Sequence, residues 1–575
     1  MKGLLTYLKR YRKESLLAPL FKMLEASFEL LVPLVISAII DQGIGGGDGG
    51  FIIRMCLILI ALGLIGLVCA ITAQYFAAKA AVGVATGVRH ALFEHLQSLS
   101  FSNMDELGTS TMITRMTSDV NQTQTGINMT LRLFLRSPFV VFGAMVMAFT
   151  IDFRSALIFA GVIAVLSIVV FGIMAINIPM MKSVQQALEK VLGATRENLT
   201  GARVIRAFCK EDSEFEEFVQ KNRALTTRQK RAGWVSGLTN PLTYLIINFA
   251  IAYLIYTGAI QVNSGVLTQG QVVALYNYMS QILVELIKLA NLIVTMNKAA
   301  ASWRRIADVL AIQPDMASPA ATAAAPSGDV AVAFRNVSLQ YKNAGGESLT
   351  GIDFEVRRGQ TIGIIGGTGS GKTSVVGLIP RFYDATAGEV LIDGVNVRDY
   401  AESELRSKIG MVMQKAVMFQ GSIRDNMRWG KPDASDAEIT AAVDTAQAKD
   451  VVAAKGGLDA DIEQGGRNLS GGQRQRLTIA RALVRRPGIL ILDDSASALD
   501  QSTDAQLRRA IRGLDYHPTV FIVSQRTASI MRADQILVLD DGHVVGKGTH
   551  DELLKRCDIY REIYESQYGK EAAEA

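Results

Sequence analysis

The chain has 575 residues, 49% of them hydrophobic and 20% charged, with a formal net charge of +5 and a mean hydropathy of +0.24. Intrinsic disorder is excluded, because disordered chains combine low apolar content with a high net charge. The cysteines are too far apart to predict a disulfide framework or a zinc site, and they lie at positions 56, 69, 209 and 557.

The two halves of the chain differ in charge. Residues 1–312 contain 28 Lys and Arg against 19 Asp and Glu, a net charge of +9. Residues 313–575 contain 31 Lys and Arg against 35 Asp and Glu, a net charge of −4. Because the basic excess lies among long apolar segments, it does not favour a nucleic-acid partner. The composition indicates a membrane domain followed by an ordinary globular domain.

The first domain contains six apolar stretches, each long enough to supply about 20 residues of helix for a hydrocarbon layer of roughly 30 Å. They lie near residues 16–40, 55–78, 133–151, 155–178, 242–262 and 271–296. Buried helices of a soluble protein are the alternative, but six such stretches in 300 residues disfavour it. We therefore predict an all-α six-helix transmembrane domain over residues 1–312, with long cytoplasmic helix extensions.

Loop charges predict the orientation of these spans. The connections at 41–50 and 263–270 contain no Lys or Arg, whereas residues 182–231 contain eleven. The positive-inside rule then places both termini and the long connections, 79–131 and 179–241, in the cytoplasm. A basic amphipathic lead-in is expected at the inner membrane face, and it contains Lys2, Lys9, Arg10, Arg12 and Lys13.

One face of the last predicted span is polar. Its polar residues fall within about 120° of one another at 100° per residue. Because charges in a bilayer are costly, this face is expected to line a wet cavity or to pack against protein. Two readings stay open: a buried structural ion pair of Glu285 with Lys288, or the lining of a substrate path. The predicted lining comprises Asn277, Gln281, Glu285, Lys288 and Asn291.

Residues 313–328 have the Pro, Ala and Ser composition of a linker, and a soluble domain is predicted over residues 329–575. The run TIGIIGGTGSGKTS is an apolar strand, a glycine-rich turn and the start of a helix. It fits the phosphate-binding pattern G-x-x-x-x-G-K-[ST], in which backbone N–H groups surround phosphate, Lys372 supplies charge and the Thr373 hydroxyl ligates Mg²⁺. The predicted loop comprises Gly366, Gly367, Thr368, Gly369, Ser370, Gly371, Lys372, Thr373 and Ser374.

Two further motifs follow the phosphate loop. The strand GILILDD ends in Asp493 and Asp494, and Asp493 fits the carboxylate that positions Mg²⁺. The segment LSGGQ, residues 469–473, lies between the loop and this strand. Together these motifs resemble the nucleotide-binding domain of ABC transporters, and six spans before one such domain resemble a multidrug-type ABC exporter half-transporter. The resemblance implies an α/β P-loop domain that uses ATP and Mg²⁺.

The resemblance also implies roles for single residues. Tyr341 is expected to stack on adenine, with a plain strand aromatic as the alternative. Gln414 is expected to contact Mg²⁺ and the attacking water, and Asp500 to lie in a loop that crosses a dimer interface. The LSGGQ residues would cap the γ-phosphate bound on the opposite subunit, and they are Ser470, Gly471, Gly472 and Gln473. Short helices near 102–108 and 211–218 would couple the two domains, although a solvated charge run is the alternative for the second.

Two positions depart from the family pattern. Asp494 stands where the family usually has the Glu that acts as general base, and Gln525, in FIVSQRT, stands where it has His. Asp is one methylene, about 1.5 Å, shorter, and a misplaced base forfeits much of a typical 10²–10⁴-fold contribution. Gln can hydrogen-bond phosphate but carries no charge. The pair resembles the degenerate-site subunit of a heterodimeric bacterial ABC exporter.

These expectations describe a multi-pass protein of the bacterial cytoplasmic membrane that exports small amphipathic or drug-like molecules by alternating access. Its partner would be a second, non-identical half-transporter. Its own phosphate loop would bind ATP but hydrolyse it poorly, while its LSGGQ would complete the partner's hydrolytic site. The alternatives are a homodimeric lipid or drug flippase, and a regulatory ATP-binding membrane module with little turnover.

Overall fold

The computed structural model describes residues 2–316, 319, 322, 328–342 and 344–569. It divides into two compact units, the first formed by Met1–Gln97 and Thr109–Ile312, the second by Ser98–Gly108 and Gln313–Ala575. The predicted domain of residues 1–312 therefore needs one correction, because the segment at 98–108 packs with the second unit. Much of the predicted linker at 313–328 lies outside the described residues.

The first unit is helical. Two short π-helical segments, Ile39–Ile44 and Arg115–Asp119, interrupt its helices. The helices of the N-terminal part of the chain are α1 Lys2–Lys9, α2 Arg12–Ala38, α3 Gly49–Ser98, α4 Phe101–Leu107, α5 Thr109–Thr114, α6 Val120–Leu133, α7 Arg136–Ile151, α8 Phe153–Thr200, α9 Ala202–Ala207, α10 Glu211–Gly237, α11 Thr239–Asn263 and α12 Gln269–Leu310.

Among the described residues, six helical segments are long and apolar enough to cross a membrane. They are Arg12–Ile44, Gly49–Ser98, Thr109–Ile151, Phe153–Thr200, Glu211–Asn263 and Gln269–Leu310, and each contains one of the predicted spans. Five have between 42 and 53 residues. Since about 20 residues suffice to cross the hydrocarbon layer, the helices continue well beyond it. The predicted six-helix fold with long extensions is confirmed, while the side on which they lie stays a prediction.

Small residues and polar caps position these helices. A Cβ on Gly143 of α7 would lie 2.5 Å from Cδ1 of Leu30 of α2, so a larger residue there would force the Leu30 side chain to move. The hydroxyl of Tyr278, which is fully buried in α12, donates to the Leu30 carbonyl at 2.6 Å. Thr268 begins α12 with a capping box, and its hydroxyl donates to Asp41 at 2.6 Å. Helices α2, α7 and α12 thereby share one core.

In its described residues, the second unit is an α/β domain with three sheets. Its strands are β1 Val330–Leu339, β2 Leu349–Arg357, β3 Thr361–Gly366, β4 Ala387–Ile392, β5 Val395–Asn396, β6 Ile409–Val412, β7 Gly421–Ser422, β8 Asp461–Ile462, β9 Ile489–Asp493, β10 Thr519–Val523, β11 Gln535–Asp540 and β12 His543–Gly548. Its further helices are α13 Lys372–Leu378, α14 Glu402–Ser407, α15 Ile423–Arg428, α16 Asp436–Thr445, α17 Lys449–Lys455, α18 Gly471–Val484, α19 Gln501–Arg512, α20 Thr527–Ile530, α21 His550–Arg556 and α22 Asp558–Tyr568.

The six-stranded sheet positions the site. Its order is β12-β11-β3-β10-β9-β6, with β3, β6, β9, β10 and β11 parallel and β12 antiparallel. Strands β3, β10 and β9 are neighbours, so their carboxyl ends meet at one edge. That edge is where parallel α/β sheets bind ligands. A four-stranded antiparallel sheet, β2-β1-β4-β5, and the pair β7-β8 complete the unit.

The two short helices predicted near 102–108 and 211–218 differ in outcome. The first is α4, which Ser100 caps and which packs within the second unit, where Phe101 lies 4.5 Å from the ring of Phe382. The second expectation is wrong, because 211–218 forms the first turns of the 27-residue helix α10. The acidic residues that marked this segment favour a helix N-terminus. The short helix of this connection is α9.

Candidate nucleotide site

The glycine-rich turn between β3 and α13 encloses the side chain of Lys372. Its ammonium donates to the carbonyls of Gly366 at 3.0 Å and Gly367 at 2.6 Å. Two positions of the turn require glycine. Gly371 has a φ of +92°, which disfavours a residue with a side chain, and a Cβ on Gly366 would lie 2.1 Å from the carbonyl oxygen of Leu539. Burial lowers the pKa of Lys372. The turn therefore holds a cation where backbone N–H groups can receive phosphate.

The last residue of β9 is positioned to hold a metal together with α13. Asp493 is 2% exposed, and its Oδ1 accepts a hydrogen bond from the Thr373 hydroxyl at 3.2 Å. Burial raises the pKa of Asp493, which the Thr373 hydrogen bond partly opposes. One carboxylate and one hydroxyl suit Mg²⁺, which usually takes few protein ligands and completes its shell with phosphates and water. Within the described part of the chain, no three Asp, Glu, His or Cys side chains form a metal-binding group.

Asp494 adopts a backbone conformation that is rare for a residue with a side chain. Its φ is +44°, and its N–H donates to the Val523 carbonyl of β10 at 3.0 Å. Its Oδ2 accepts from Nε2 of Gln414 at 3.3 Å. The structure thus brings together the two residues that the sequence assigned to the attacking water.

Gln525 follows β10 and is held from the C-terminal helix. Its carbonyl accepts from Nε2 of Gln567 in α22 at 2.7 Å. The Oε1 of Gln567 accepts from the N–H of Thr527 at 2.9 Å and from its hydroxyl at 2.8 Å. Sequence reasoning missed Gln567, because it lies 42 residues after Gln525 and belongs to no motif.

One cleft of about 450 Å³ joins these groups, a size that suits a small ligand. The predicted residues that line it are Tyr341, Thr368, Gly369, Gly371, Lys372, Thr373, Ser374, Gln414, Asp493, Asp494 and Gln525. It also contains residues that the sequence did not indicate, namely Glu347, Ser348, Val523, Ser524, Asp541 and Gly542. Gly542 could have been suspected from the β11–β12 turn, where its φ is +77°.

Tyr341 lies at the edge of this cleft and is half-buried. Its hydroxyl donates to the Ser374 hydroxyl at 2.9 Å, and its ring meets Tyr383 edge-on at 4.9 Å between centroids. Burial raises the pKa of Tyr341. These contacts fix the ring beside the phosphate loop, and stacking on adenine stays a prediction.

The LSGGQ residues and Asp500 do not line the cleft. Ser470 and Gln473 form a capping box at the start of α18, with the Ser470 N–H donating to Gln473 Oε1 at 2.9 Å. Asp500 caps α19 and accepts from the N–H of Thr503 at 2.8 Å. Hydrogen bonds from Thr503 and Ser502 hold the pKa of Asp500 well below its usual range. These groups build local structure and stand apart from the nucleotide cleft of their own chain.

The polar face of α12 contains an ion cluster that the sequence only partly indicated. Glu285 is 3% exposed, and its carboxylate accepts from Arg136 at 2.5 Å, Ser137 at 2.9 Å and Lys288 at 2.8 Å. Glu285 therefore forms the predicted ion pair with Lys288, and Arg136 is an additional partner that the sequence did not indicate. Along the rest of this face Asn277 and Gln281 are half-buried and Asn291 is exposed, and a substrate path there stays a prediction.

Comparisons with known proteins agree with this geometry. Residues 15–286 match the profile of the ABC transporter transmembrane region, and residues 349–497 match the ABC transporter profile. The chain is 35% identical to the uncharacterized ABC transporter ATP-binding protein YfiB of Bacillus subtilis, over 100% of both chains. It is 33% identical to an ATP-dependent lipid A-core flippase of Desulfotalea psychrophila, over 83% of each.

A solved structure of a bacterial Atm1-family ABC exporter with ATP bound aligns with a TM-score of 0.78. The alignment covers 97% of this chain and 98% of that one at 24% identity, so it carries the fold alone. The fold, the phosphate-loop cleft and the relatives lead to one conclusion. The chain belongs to the ABC transporter family, as an exporter half-transporter with its membrane and ATP-binding domains on one polypeptide.

Proposed function

We propose that the chain is one subunit of a heterodimeric ATP-driven exporter, whose own phosphate-loop site binds ATP but hydrolyses it slowly. The observation that carries this proposal is that Asp494 and Gln525 line the same cleft as Lys372. Both depart from the residues that resemblance to the family leads us to expect there. An intact phosphate loop beside two altered catalytic positions favours binding over turnover.

The geometry of Asp494 supports slow hydrolysis. Its N–H donates a hydrogen bond to the Val523 carbonyl of the sheet, and its Oδ2 accepts one from Gln414 at 3.3 Å. These bonds hold the backbone in place, so that it does not move outward to make up for the methylene by which Asp is shorter than Glu. A carboxylate that stops about 1.5 Å short of the attacking water loses alignment with the proton that it must accept. General-base catalysis is worth typically 10²–10⁴-fold, which sets the scale of the expected defect.

The remaining residues of the cleft are suited to binding. Lys372 and the loop N–H groups would neutralise and orient the β- and γ-phosphates. Thr373 and Asp493 would hold Mg²⁺, which when bound neutralises charge on the phosphate oxygens. Gln525 would donate its amide N–H to a γ-phosphate oxygen without adding positive charge. Each of these roles is compatible with a nucleotide that stays bound for long periods.

The LSGGQ segment would complete the hydrolytic site of a partner subunit. Ser470 is exposed, and α18 begins directly behind it, so N–H groups at this helix end can meet a phosphate that another chain carries. The partner would then supply the Glu and His that this chain lacks. ATP binding would open the membrane cavity outward, and hydrolysis at that single site would return the transporter to the start of its alternating-access cycle.

The transported molecules are proposed to be small and amphipathic or drug-like, taken from the bilayer of a bacterial cytoplasmic membrane. The loop charges support cytoplasmic termini, since residues 182–231 carry eleven Lys and Arg while the loops at 41–50 and 263–270 carry none. A homodimeric lipid flippase is the second candidate, which the 33% identity to a lipid A-core flippase favours.

Restoration of the catalytic residues tests the proposal. The chain would be purified in native lipid, with any subunit that accompanies it identified by mass spectrometry and ATPase activity measured. We expect an unlike subunit, little hydrolysis by this chain alone, and at least about a tenfold rise in the Asp494→Glu, Gln525→His double variant alone. Asp459→Glu is the matched control, because Asp459 is exposed and pairs with Arg424 outside the cleft.

Three outcomes would contradict the proposal. Hydrolysis by this chain alone as fast as by the mixed complex would show that Asp494 and Gln525 are competent. Recovery of identical subunits only, with ATP-dependent lipid movement in vesicles, would favour the homodimeric flippase. Absence of any ATP-dependent transport, with ATP still bound, would identify a regulatory module.

A further inference from the structure

A chain of four alternating charges joins α2, α7 and α12 in the first unit. Arg136 of α7 donates from Nη1 to Glu285 of α12 at 2.5 Å and from Nη2 to Glu29 of α2 at 2.6 Å. Lys288 donates to the same Glu285 oxygen at 2.8 Å. The order Glu29, Arg136, Glu285, Lys288 therefore runs from one exposed end to the other, and we call these residues the charge chain.

The predicted spans at 133–151 and 271–296 place Arg136, Glu285 and Lys288 of the charge chain at membrane depth. Glu285 is 16 residues after the start of α12 at Gln269, or about 24 Å along the helix axis. Arg136 is 15 residues before the end of α7 at Ile151, or about 22 Å. Both distances fall within a hydrocarbon layer of roughly 30 Å. Charges at this depth are costly and are retained where they pair or act on a substrate.

The two ends of the charge chain differ from its middle. The side chains of Arg136 and Glu285 are 6% and 4% exposed, so their charges are neutralised inside the protein. The side chains of Glu29 and Lys288 are 42% and 43% exposed. Stability alone does not require these outer charges, because the inner pair is already matched. The ends therefore present one negative and one positive group, each paired with the inner charge beside it.

The hydrogen-bonding capacity around the charge chain is incomplete among the described residues. Arg136 is only 6% exposed, and its Nε has no hydrogen-bond partner among these residues. Oε1 of Gln281, one helical turn before Glu285, is likewise buried without a partner. A buried donor or acceptor without a partner is costly, so each of these atoms calls for a ligand group or a water. Among the described residues, the cluster therefore has one unused donor and one unused acceptor.

We infer that Glu29 and Lys288 form a headgroup site for a zwitterionic amphiphile, whose ammonium pairs with Glu29 and whose acidic group pairs with Lys288. The inference rests on the proposed export function and adds the substrate class. The four charges of the chain pair with one another and sum to zero, so a singly charged headgroup would add an uncompensated charge there, whereas a zwitterionic headgroup would keep the sum at zero. A headgroup with both charges matches both ends, since only one guanidinium and one carboxylate separate them.

Binding of matched probes tests this site without any need for ATP turnover. The full-length chain, with any subunit that accompanies it, is placed in nanodiscs of anionic phosphatidylglycerol, which contain no zwitterionic lipid. Fluorescent probes share one acyl chain and carry a phosphoethanolamine, a primary amine or a phosphate monoester head. We expect the zwitterionic probe to bind at least about tenfold more tightly than either singly charged probe.

Variants at the exposed ends identify the contacts. Glu29→Gln should weaken binding of the zwitterionic and amine probes about tenfold and leave binding of the phosphate probe unchanged. Lys288→Gln should weaken binding of the phosphate probe about tenfold and leave binding of the amine probe unchanged. The conservative exchanges Glu29→Asp and Lys288→Arg keep each charge beside its inner partner and should retain the zwitterionic preference, which guards against loss through misfolding. Lys298→Gln is the control, since Lys298 is exposed on the same helix.

The inference is overturned if the three heads bind equally, or if neither end variant alters their ratio. Free phosphoethanolamine as a competitor distinguishes a soluble zwitterion from a lipid: competition supports the first source, and competition by the long-chain form alone supports the second. Failure of the proposed function is separable, because transport would then be absent while the probe preference and its dependence on Glu29 and Lys288 persist.

Discussion

The nucleotide cleft and the start of α18 lie in the same unit and both carry motif residues, yet they are built in opposite ways. In the cleft, groups at or just beyond the carboxyl ends of β3, β9 and β10 converge, so that Lys372, Asp493 and Asp494 line one cavity. At α18, Ser470 and Gln473 bond to one another and Ser470 faces solvent. One motif thus forms a site within its own chain, while the other offers an ordered surface to a different one.

The largest effect is expected where the cleft is broken at its cation. Lys372→Ala removes the ammonium from the phosphate loop and should weaken binding of a fluorescent ATP analogue at least about 100-fold. Lys449→Ala, at an exposed position in α17, should leave binding unchanged. Equal binding by both variants would mean that the loop does not receive the phosphates.

The next effect separates capping from catalysis at α18. Ser470→Ala removes the cap and should cost about 1 kcal/mol of stability, whereas Ser470→Asp retains a good cap but adds negative charge. If this surface faces a partner's γ-phosphate, the Asp variant should lower ATPase activity of the complex by about 10²-fold while its thermal unfolding stays near wild type. Parallel loss of stability and activity in both variants would leave only the capping role.

A smaller effect is expected at Gln567, which holds the loop of Gln525. Gln567→Ala removes all of its hydrogen bonds to this loop, whereas Gln567→Glu keeps the acceptor for Thr527 and loses the donor to the Gln525 carbonyl. We expect ATP affinity to fall about three- to tenfold in the first variant and less in the second. Affinities indistinguishable from wild type in both would show that α22 does not support the cleft.

The smallest effect concerns the charge of Asp500. Its pKa is lowered by hydrogen bonds from Thr503 and Ser502, so its ionised form stabilises the folded state above the unfolded pKa of about 3.9. Asp500→Asn keeps a cap without charge and should lower Tm by about 1–3 °C at pH 7. The difference should narrow as the pH falls below 4 towards the folded pKa, and thermal scans between pH 3 and 7 would reveal the narrowing. A gap that is constant with pH would exclude the charge as its cause.

Local patterns predicted much of this molecule. Long, mainly apolar stretches located all six spans, because a span is defined by neighbours in sequence. The same holds for the phosphate loop, whose glycines and lysine are contiguous. Arg136 was missed because it lies at the edge of a predicted span and meets Glu285 across 149 residues. No local pattern marks such a pair, and the same is true of Gln567.

Boundaries failed where a short segment takes its structure from distant partners. The helix at 211–218 was expected to stand alone, but no helix-breaking residue separates it from the rest of α10. The segment at 98–108 was assigned to the membrane domain by its position in the chain. Its contacts with the ATP-binding domain, such as the hydrogen bond from the Tyr383 hydroxyl to Asp105 at 2.7 Å, are invisible to periodicity.

The packing of α4 makes the second unit discontinuous in sequence. A polypeptide that began at residue 313 would contain every strand and the whole nucleotide cleft, but it would lack Phe101, whose ring covers Phe382, and Asp105, which receives the Tyr383 hydroxyl. The ATP-binding domain therefore includes a segment, Ser98–Gly108, that lies about 200 residues before the rest of the domain in the sequence. The aromatic surface of Phe382 and Tyr383 is covered only in the full-length polypeptide. A fragment that begins at residue 313 would therefore leave this surface uncovered.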